Sequence, residues 1–314
     1  MMPAIDVAHV GHRYGQRQAL DDLSLAIQSA EIFAFLGPNG GGKTTLFRLL
    51  STLIPVQQGE IEVLGYDLRR RPQAVRGSIG VVFQAPSLDK KLTVAENLRY
   101  QGQLYGMQGR GLNDRMHLML DRLGLADRAH QRVESLSGGL RRRVELAKGM
   151  LHQPSLLLLD EPSTGLDPAA RSDLWRYLRA VREEQGVTVV LTTHLLEEAE
   201  RADRIAILHA GRLVALGTPD ALRSTVGGDS ITIRSADPAG LASAIGQRFG
   251  CNALVLEGSV RLEQPEGHRW VPQLMEAFGG QIESLTLGKP SLEDVFIART
   301  GHRFWQAPAE AEHV

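Results

Sequence analysis

The sequence predicts an α/β chain in two parts, and three observations carry that reading. A short apolar run, Glu31-Ile32-Phe33-Ala34-Phe35-Leu36, enters the glycine-rich stretch Gly37-Pro38-Asn39-Gly40-Gly41-Gly42-Lys43-Thr44-Thr45 and leaves it through the apolar-rich Leu46–Leu50, a strand, a loop and a helix. Further apolar runs, at Ile79–Phe83, Leu156–Leu159 and Val187–Thr193, alternate with helical stretches and end in polar residues. Beyond residue 230 the rhythm changes to βαββαβ, the pattern of a small α+β domain.

The glycine-rich stretch is the most specific of these. Gly37 to Thr44 fits G-x-x-x-x-G-K-[ST] in the strand–loop–helix setting that the pattern needs, which makes the core a phosphate-loop NTPase fold. Glycines let the backbone turn sharply and aim its N–H groups inward, and the helix start adds unpaired donors and partial positive charge. Lys43 is placed to reach the β- and γ-phosphates, and the Thr44 hydroxyl to bind Mg²⁺.

Composition narrows the classes. The 314 residues suffice for two domains, and 43% hydrophobic with 23% charged residues is ordinary for a soluble globular chain. A net charge of −1 gives no global field for nucleic acid, and none is expected as a partner. The single cysteine, Cys251, excludes an internal disulfide and fits a reducing compartment. No apolar run approaches the roughly 20 residues of a membrane span, and Met1–Asp6 lacks signal-peptide features. Any work at a membrane is then that of a peripheral subunit.

Taken in order, Ile5, Val7 and Val10 alternate as a strand, as do Leu23, Leu25 and Ile27. His12-Arg13-Tyr14-Gly15 lies between them, and Tyr14 is a candidate to stack on an adenine ring. Glu60–Leu64 is a strand, and Ile79–Phe83 is another that ends at Gln84. Residues 88–150 read as a helical subdomain, with a capping box at Thr93-x-x-Glu96 and a second helix carrying Leu118, Leu120, Leu123 and Leu125. Leu136-Ser137-Gly138-Gly139-Leu140 then opens a helix and forms a second anion-binding end. The following Arg141-Arg142-Arg143 reads as a solvated or ion-paired face.

Ser155–Leu159 is a buried strand ending in Asp160 and Glu161. Paired acids there matter because open parallel sheets bind ligands at the carboxyl ends of their strands. Asp160 suits Mg²⁺, and Glu161 suits the orientation and deprotonation of an attacking water. A polar loop, Pro162–Pro168, leads to a helix at 169–185 with Leu174, Tyr177, Leu178 and Val181 on one face. The strand Val187–Thr193 ends in His194, a candidate γ-phosphate contact. Leu195–Ala202 reads as helix, and Ile205–Leu208 with Arg212–Gly217 as a hairpin.

In that order, Tyr14, Gly37–Thr45, Gln84, Leu136–Gly139, Leu156–Glu161, Ser163–Asp167 and His194 resemble the ATP-binding subunit of ABC transporters over residues 4–220. The resemblance implies ATP and Mg²⁺ as cofactors and a second ATPase subunit, as a homodimer, docked head to tail. Each ATP would lie between one copy's phosphate loop and the other's Ser137, Gly138 and Gly139. Gln84 would touch Mg²⁺ and the attacking water and relay the site's state to a polytopic membrane permease. Asp167 would couple the two sites. The subunit would be cytoplasmic, held on the inner face of the cell membrane. Two positions depart from the family: Leu140 stands where glutamine is commoner, and Gly41 where alanine or serine is.

The C-terminal part, 229–300, reads as a ferredoxin-like split βαβ unit: Ile231–Arg234, a helix from Asp237-Pro238, Ala253–Leu256, Val260–Glu263, a helix at Trp270–Phe278, and Gln281–Leu287. Ser291–Phe296 starts a capped helix, and 301–314 reads as a flexible tail. Lys289–Phe296 resembles the tail of drug-resistance-type exporter ATPases whose permease is of the type-2 ABC class. That favours an exporter over the nearest alternative, an ABC importer ATPase. A non-transport ABC ATPase acting on nucleic acid or ribosomes is disfavoured by the single set of motifs and the absence of sustained heptads. A phosphate-loop kinase is disfavoured by Leu136–Gly139.

Overall fold

The structure, a computed structural model, describes residues 2–256, 258–301 and 304; the expected tail otherwise lies outside the described residues. The chain divides into two compact units, Met1–Leu213 and Val214–Val314.

The first unit contains β1 (Ile5–Tyr14), β2 (Arg17–Ile27), β3 (Ile32–Leu36), α1 (Lys43–Leu50), β4 (Gln58–Val63), β5 (Tyr66–Asp67), α2 (Pro72–Ser78) and β6 (Ile79–Val82). The helical insert follows as α3 (Val94–Leu104), α4 (Gly109–Arg122) and α5 (Gly138–Met150). Then come β7 (Leu156–Asp160), α6 (Pro168–Gln185), β8 (Thr188–Thr193), α7 (Leu196–Ala199), β9 (Arg204–His209) and β10 (Arg212–Gly217), within which the division between the units falls.

Two sheets form. An antiparallel one has the order β2-β1-β4-β5, and the larger has the order β10-β9-β3-β8-β7-β6. Strands β9, β3, β8, β7 and β6 run parallel. Every residue of β3, β7 and β8 is buried, so these strands are covered on both faces, which is why they read as unbroken apolar runs. The order β3-β8-β7-β6 sets Gly37, His194, Glu161 and Gln84 in a row, because each lies at or just beyond the carboxyl end of one of these neighbouring strands.

Three local expectations are corrected. His12–Tyr14 is part of β1, not a connection, because β1 and β2 close as a hairpin with Tyr14 opposite Arg17 and Gly15 at φ 58°. The helix expected over Leu195–Ala202 is only Leu196–Ala199. The chain leaves it so that Asp203 can dock at the start of β3, giving its N–H to Ile32 O and accepting the Ile32 N–H on its carboxylate at 2.7 Å. In α4 the core face is Leu112, Met116, Met119 and Leu120, while Leu118 is exposed and Leu125 lies beyond the helix. The Thr93 capping box is present, with Thr93 N donating to Glu96 at 2.7 Å.

The second unit adds α8 (Pro219–Arg223), β11 (Asp229–Arg234), α9 (Pro238–Phe249), β12 (Ala253–Leu256), β13 (Ser259–Gln264), α10 (Gly267–Phe278), β14 (Ser284–Gly288) and α11 (Leu292–Thr300). Its sheet is antiparallel in the order β12-β13-β11-β14, the split βαβ arrangement that the alternation implies. Ile231, Ile233, Val260 and Leu262 pack one face of that sheet against Leu241, Ile245, Leu274 and Phe278. The final strand starts at Ser284 instead of Gln281, since Gly279–Gln281 first makes a turn of 3₁₀ helix. On the other sheet face, Arg261 donates to Ser230 Oγ at 2.8 Å and pairs with Asp294 of α11.

Candidate nucleotide site

The phosphate loop is held by its contacts with β2 and β9. A Cβ on Gly37 would stand 2.3 Å from Leu208 O. Gly42, at φ 104°, is the N-cap of α1 and offers no side-chain cap, so the first N–H groups of that helix stay available to an anion. At Gly41 a Cβ would meet both Leu208 O and Pro38 O at 3.0 Å. Glycine at this departure from the family pattern therefore matches a tight approach of loop to strand end.

Lys43 is buried, and its Nζ donates to Gly37 O at 2.7 Å and Pro38 O at 3.0 Å. Burial pushes its pKa below the ordinary lysine value, against the opposing pull of Glu161 and Asp160. A cavity of about 200 Å³ runs over the loop, lined by Tyr14, Arg17, Ala19, Asn39, Gly40, Gly42, Lys43, Thr44 and Thr45. Tyr14 is 42% exposed on the rim, and the rings of His12 and Tyr14 make a T-shaped contact at 4.7 Å. Arg17 is a second cation beside the loop, a functional candidate that the motifs do not include; its place just after the β1–β2 turn is the one sequence signal for it.

The acidic end of the site centres on Glu161. Its Oε2 accepts from Gln84 Nε2 at 3.2 Å and from Thr164 Oγ1 at 3.3 Å, and its Oε1 lies 3.1 Å from His194 Nδ1. Residues from three successive strand ends thus meet on one carboxylate. Glu161 has φ 42°, a conformation costly for a residue with a side chain, and its N–H is fixed by Thr192 Oγ1 at 3.0 Å. The Thr192 hydroxyl in turn donates to Asp160 Oδ1 at 2.6 Å. Burial raises the Asp160 pKa above the ordinary aspartate value, with the Glu161 charge adding to the rise and the Thr192 bond and Lys43 opposing it.

The structure does not bring every candidate into this cluster. Ser137 caps α5, its Oγ accepting from Leu140 N at 3.3 Å, and Asp167 caps α6, its Oδ1 accepting from Ala170 N at 2.8 Å. None of Ser137, Gly138, Gly139 or Asp167 lines the phosphate-loop cavity; Gly139 lines a separate cavity of about 460 Å³ together with Leu166. Of the two readings of the arginine run, the ion-paired one holds for Arg142 and Arg143, which pair with Glu145 and Asp173, and Arg142 is buried in addition.

A phosphate cradle with a buried lysine, joined through one sheet edge to a carboxylate that gathers a glutamine and a histidine, suits ATP hydrolysis. The comparisons with known proteins agree. The ABC transporter family matches residues 20–164. The daunorubicin resistance ATP-binding protein DrrA2 of Streptomyces coeruleorubidus is 38% identical over 304 residues, covering 93% of each chain. This chain belongs to the ATP-binding subunits of ABC transporters. A Nod factor export ATP-binding protein I of Rhizobium johnstonii is 38% identical over 300 residues, covering 95% of each chain. A solved ATP-binding subunit of an ABC transporter superposes with a TM-score of 0.64 at 30% identity, over 71% of this chain and 92% of that one. The cbiO1 subunit from Clostridium perfringens shares the fold, with a TM-score of 0.66 at 24% identity over 80% of this chain and 97% of that one. As an ABC ATPase the chain binds and hydrolyses ATP in the service of transport, and its family implies a membrane permease as partner. Among the described residues no helix is long and apolar enough to cross a membrane.

Proposed function

We propose that this subunit powers an exporter, from the cytoplasmic face of the membrane, through ATP-driven head-to-tail pairing of two copies. The observation that carries the reading is the convergence of Gln84, Thr164 and His194 on Glu161 beside a phosphate loop. Export as the direction is supported by relatives named for drug resistance and Nod factor export that align over nearly the whole chain.

In this reading Tyr14 stacks on the adenine and Gly37–Thr45 wrap the phosphates, with Lys43 and Arg17 supplying positive charge. Thr44, Asp160 and Gln84 would hold Mg²⁺, which when bound would neutralise negative charge on the phosphates. Among the described residues there is no group of three or more His, Cys, Asp or Glu that could cage a metal by itself. That accords with Mg²⁺, which commonly binds through few protein ligands plus substrate phosphates. Glu161 takes a proton from the attacking water, and His194 orients the γ-phosphate. Ser137, Gly138 and Gly139 serve a second copy's ATP, which accounts for their place outside the phosphate-loop cavity, and Asp167 lies between the two sites.

A groove of about 450 Å³ beside Gln84, lined by Leu53, Phe83, Ser87, Tyr105, Lys148 and His152 among others, offers the permease a partly apolar seat. The test is a pull-down. The Glu161→Gln subunit is tagged, membranes are mildly solubilised with ATP and Mg²⁺ present, and co-purifying proteins are identified. A stoichiometric polytopic membrane protein is the expected result. Recovery of ribosomes, nucleic acid or soluble partners alone would refute the transporter reading.

A further inference from the structure

The three adjacent arginines of α5 have three different fates. Arg141 Nε donates to Leu136 O at 2.9 Å and is partly buried, and Arg143 makes a 2.6 Å pair with Asp173, both partners about a third exposed. Arg142 is buried, and five hydrogen bonds leave its guanidinium. Nε donates to Pro162 O at 2.6 Å, and Nη2 to Asp160 O at 3.3 Å and Glu161 O at 3.2 Å. Nη1 donates to Phe83 O at 2.8 Å and to Glu145 Oε2 at 2.9 Å. One side chain therefore holds the backbone on both sides of Glu161 and the carbonyl just before Gln84.

The same helix face continues the grip. Glu145 Oε1 accepts the Ser87 N–H at 2.7 Å, and Lys148 Nζ donates to Ser87 O at 2.7 Å. Residues 142, 145 and 148 recur every three positions, so they lie along one side of α5. Between them they clamp the loop that carries Gln84 at both ends, Phe83 and Ser87. Burying a guanidinium and a carboxylate is a poor way to gain stability, since apolar residues of similar volume often do as well. What the pair provides is geometry: carbonyls from two loops fixed to a rigid helix whose first turn is Ser137–Leu140.

We propose that Arg142, held by Glu145, is a positioning residue that couples the Ser137–Gly139 end of α5 to this chain's own Glu161 and Gln84. It rests on the reading of Ser137–Gly139 as the contact to a second copy's ATP. Engagement of that ATP moves or steadies the start of α5, and Arg142, one turn along, passes the change to the backbone that sets the Glu161 carboxylate. Each ATP is thereby sensed by the hydrolytic apparatus of the opposite copy.

The test compares full-length wild type, Arg142→Lys, the charge-neutral double variant Arg142→Gln/Glu145→Gln, and Arg143→Ala as a control on the same helix. The double variant avoids leaving Glu145 buried without its counter-charge. Melting temperature, affinity for a fluorescent ATP analogue, and turnover across ATP concentrations with Mg²⁺ are measured. The expected result for the double variant is near-wild-type melting and affinity, with kcat reduced about 10- to 100-fold, the scale of a small misplacement at a reacting centre. The wild type shows a Hill slope above one for ATP, and the double variant a slope of one. Arg142→Lys, keeping charge but losing the fork of donors, falls between them, and Arg143→Ala matches the wild type.

Wild-type kcat and slope in the double variant would overturn the proposal. So would joint loss of melting temperature, affinity and rate, which would make the pair scaffold only. A wild-type slope of one would overturn it as well. Failure of the underlying two-copy reading would appear separately, as absence of ATP-dependent dimers in protein that retains Arg142.

Discussion

Glu161 sits in left-handed backbone, and side chains from other elements fix its place: the Thr192 hydroxyl on its N–H, and the Arg142 guanidinium on its carbonyl and on those of its two neighbours. Beside it, Asp160 is buried as an acid whose pKa is raised chiefly by that burial. A raised acid favours the protonated form in the folded state. Its effect on stability is therefore a penalty that is absent below the ordinary aspartate range and grows as pH rises through the shifted value. Asp160→Asn keeps an acceptor for Thr192 and removes the penalty. In the absence of nucleotide, this variant should melt higher than wild type near pH 7, with the gain vanishing as pH falls below the ordinary aspartate range. The rise in melting temperature on adding Mg²⁺ with ATP should be smaller in the variant. Thermal melts across pH check both points. A variant that melts lower at neutral pH, or a gain unchanged by pH, would show that the Asp160 charge is not the source of the penalty.

At the scale of elements, the parallel sheet explains which parts were legible in the sequence. Strands β3, β7 and β8 are buried on both faces, so their composition alone marks them, and the residues that follow them inherit their position from strand order. Helix α7 is shorter than its sequence implies: the helical pattern continues past Ala199, but the chain is captured by Asp203 binding at Ile32, a partner 171 positions away. The Arg142–Glu145 clamp was illegible for the same reason: a basic run on a helix looks solvent-facing until the loops at 83–87 and 160–162 are laid against it. Arg17 shows only a faint local signal, its place just after the β1–β2 turn, which a surface arginine at a strand start shares; the neighbouring phosphate loop gives it meaning. The second unit has a core of its own, centred on Ile231, Ile233, Val260 and Leu262. Truncation of the fully buried Leu262 to alanine should cost about 2–5 kcal/mol of that unit's stability while leaving the affinity of the first unit for a fluorescent ATP analogue unchanged. Calorimetry and nucleotide titration on the same preparation decide this. A parallel loss of ATP affinity would contradict the independence of the two cores.

For the whole molecule, the order of motifs along the chain announced the family, because their spacing matches a sheet in which loops from distant sequence share one edge. What the order cannot supply is the second copy that the proposed pairing requires. Ser137 and Asp167 spend their side chains as helix caps and stand apart from the phosphate-loop cavity of their own chain, as they should if another copy supplies the phosphates. The most direct test is the mass of the Glu161→Gln protein in solution by light scattering, with Mg²⁺ and saturating ATP. The substitution should cut turnover by about 10²–10⁴, the scale of losing a general base, and leave ATP binding intact. The account predicts a 34.4 kDa chain without nucleotide and twice that mass with ATP. A mass that stays at one chain under saturating ATP would contradict it.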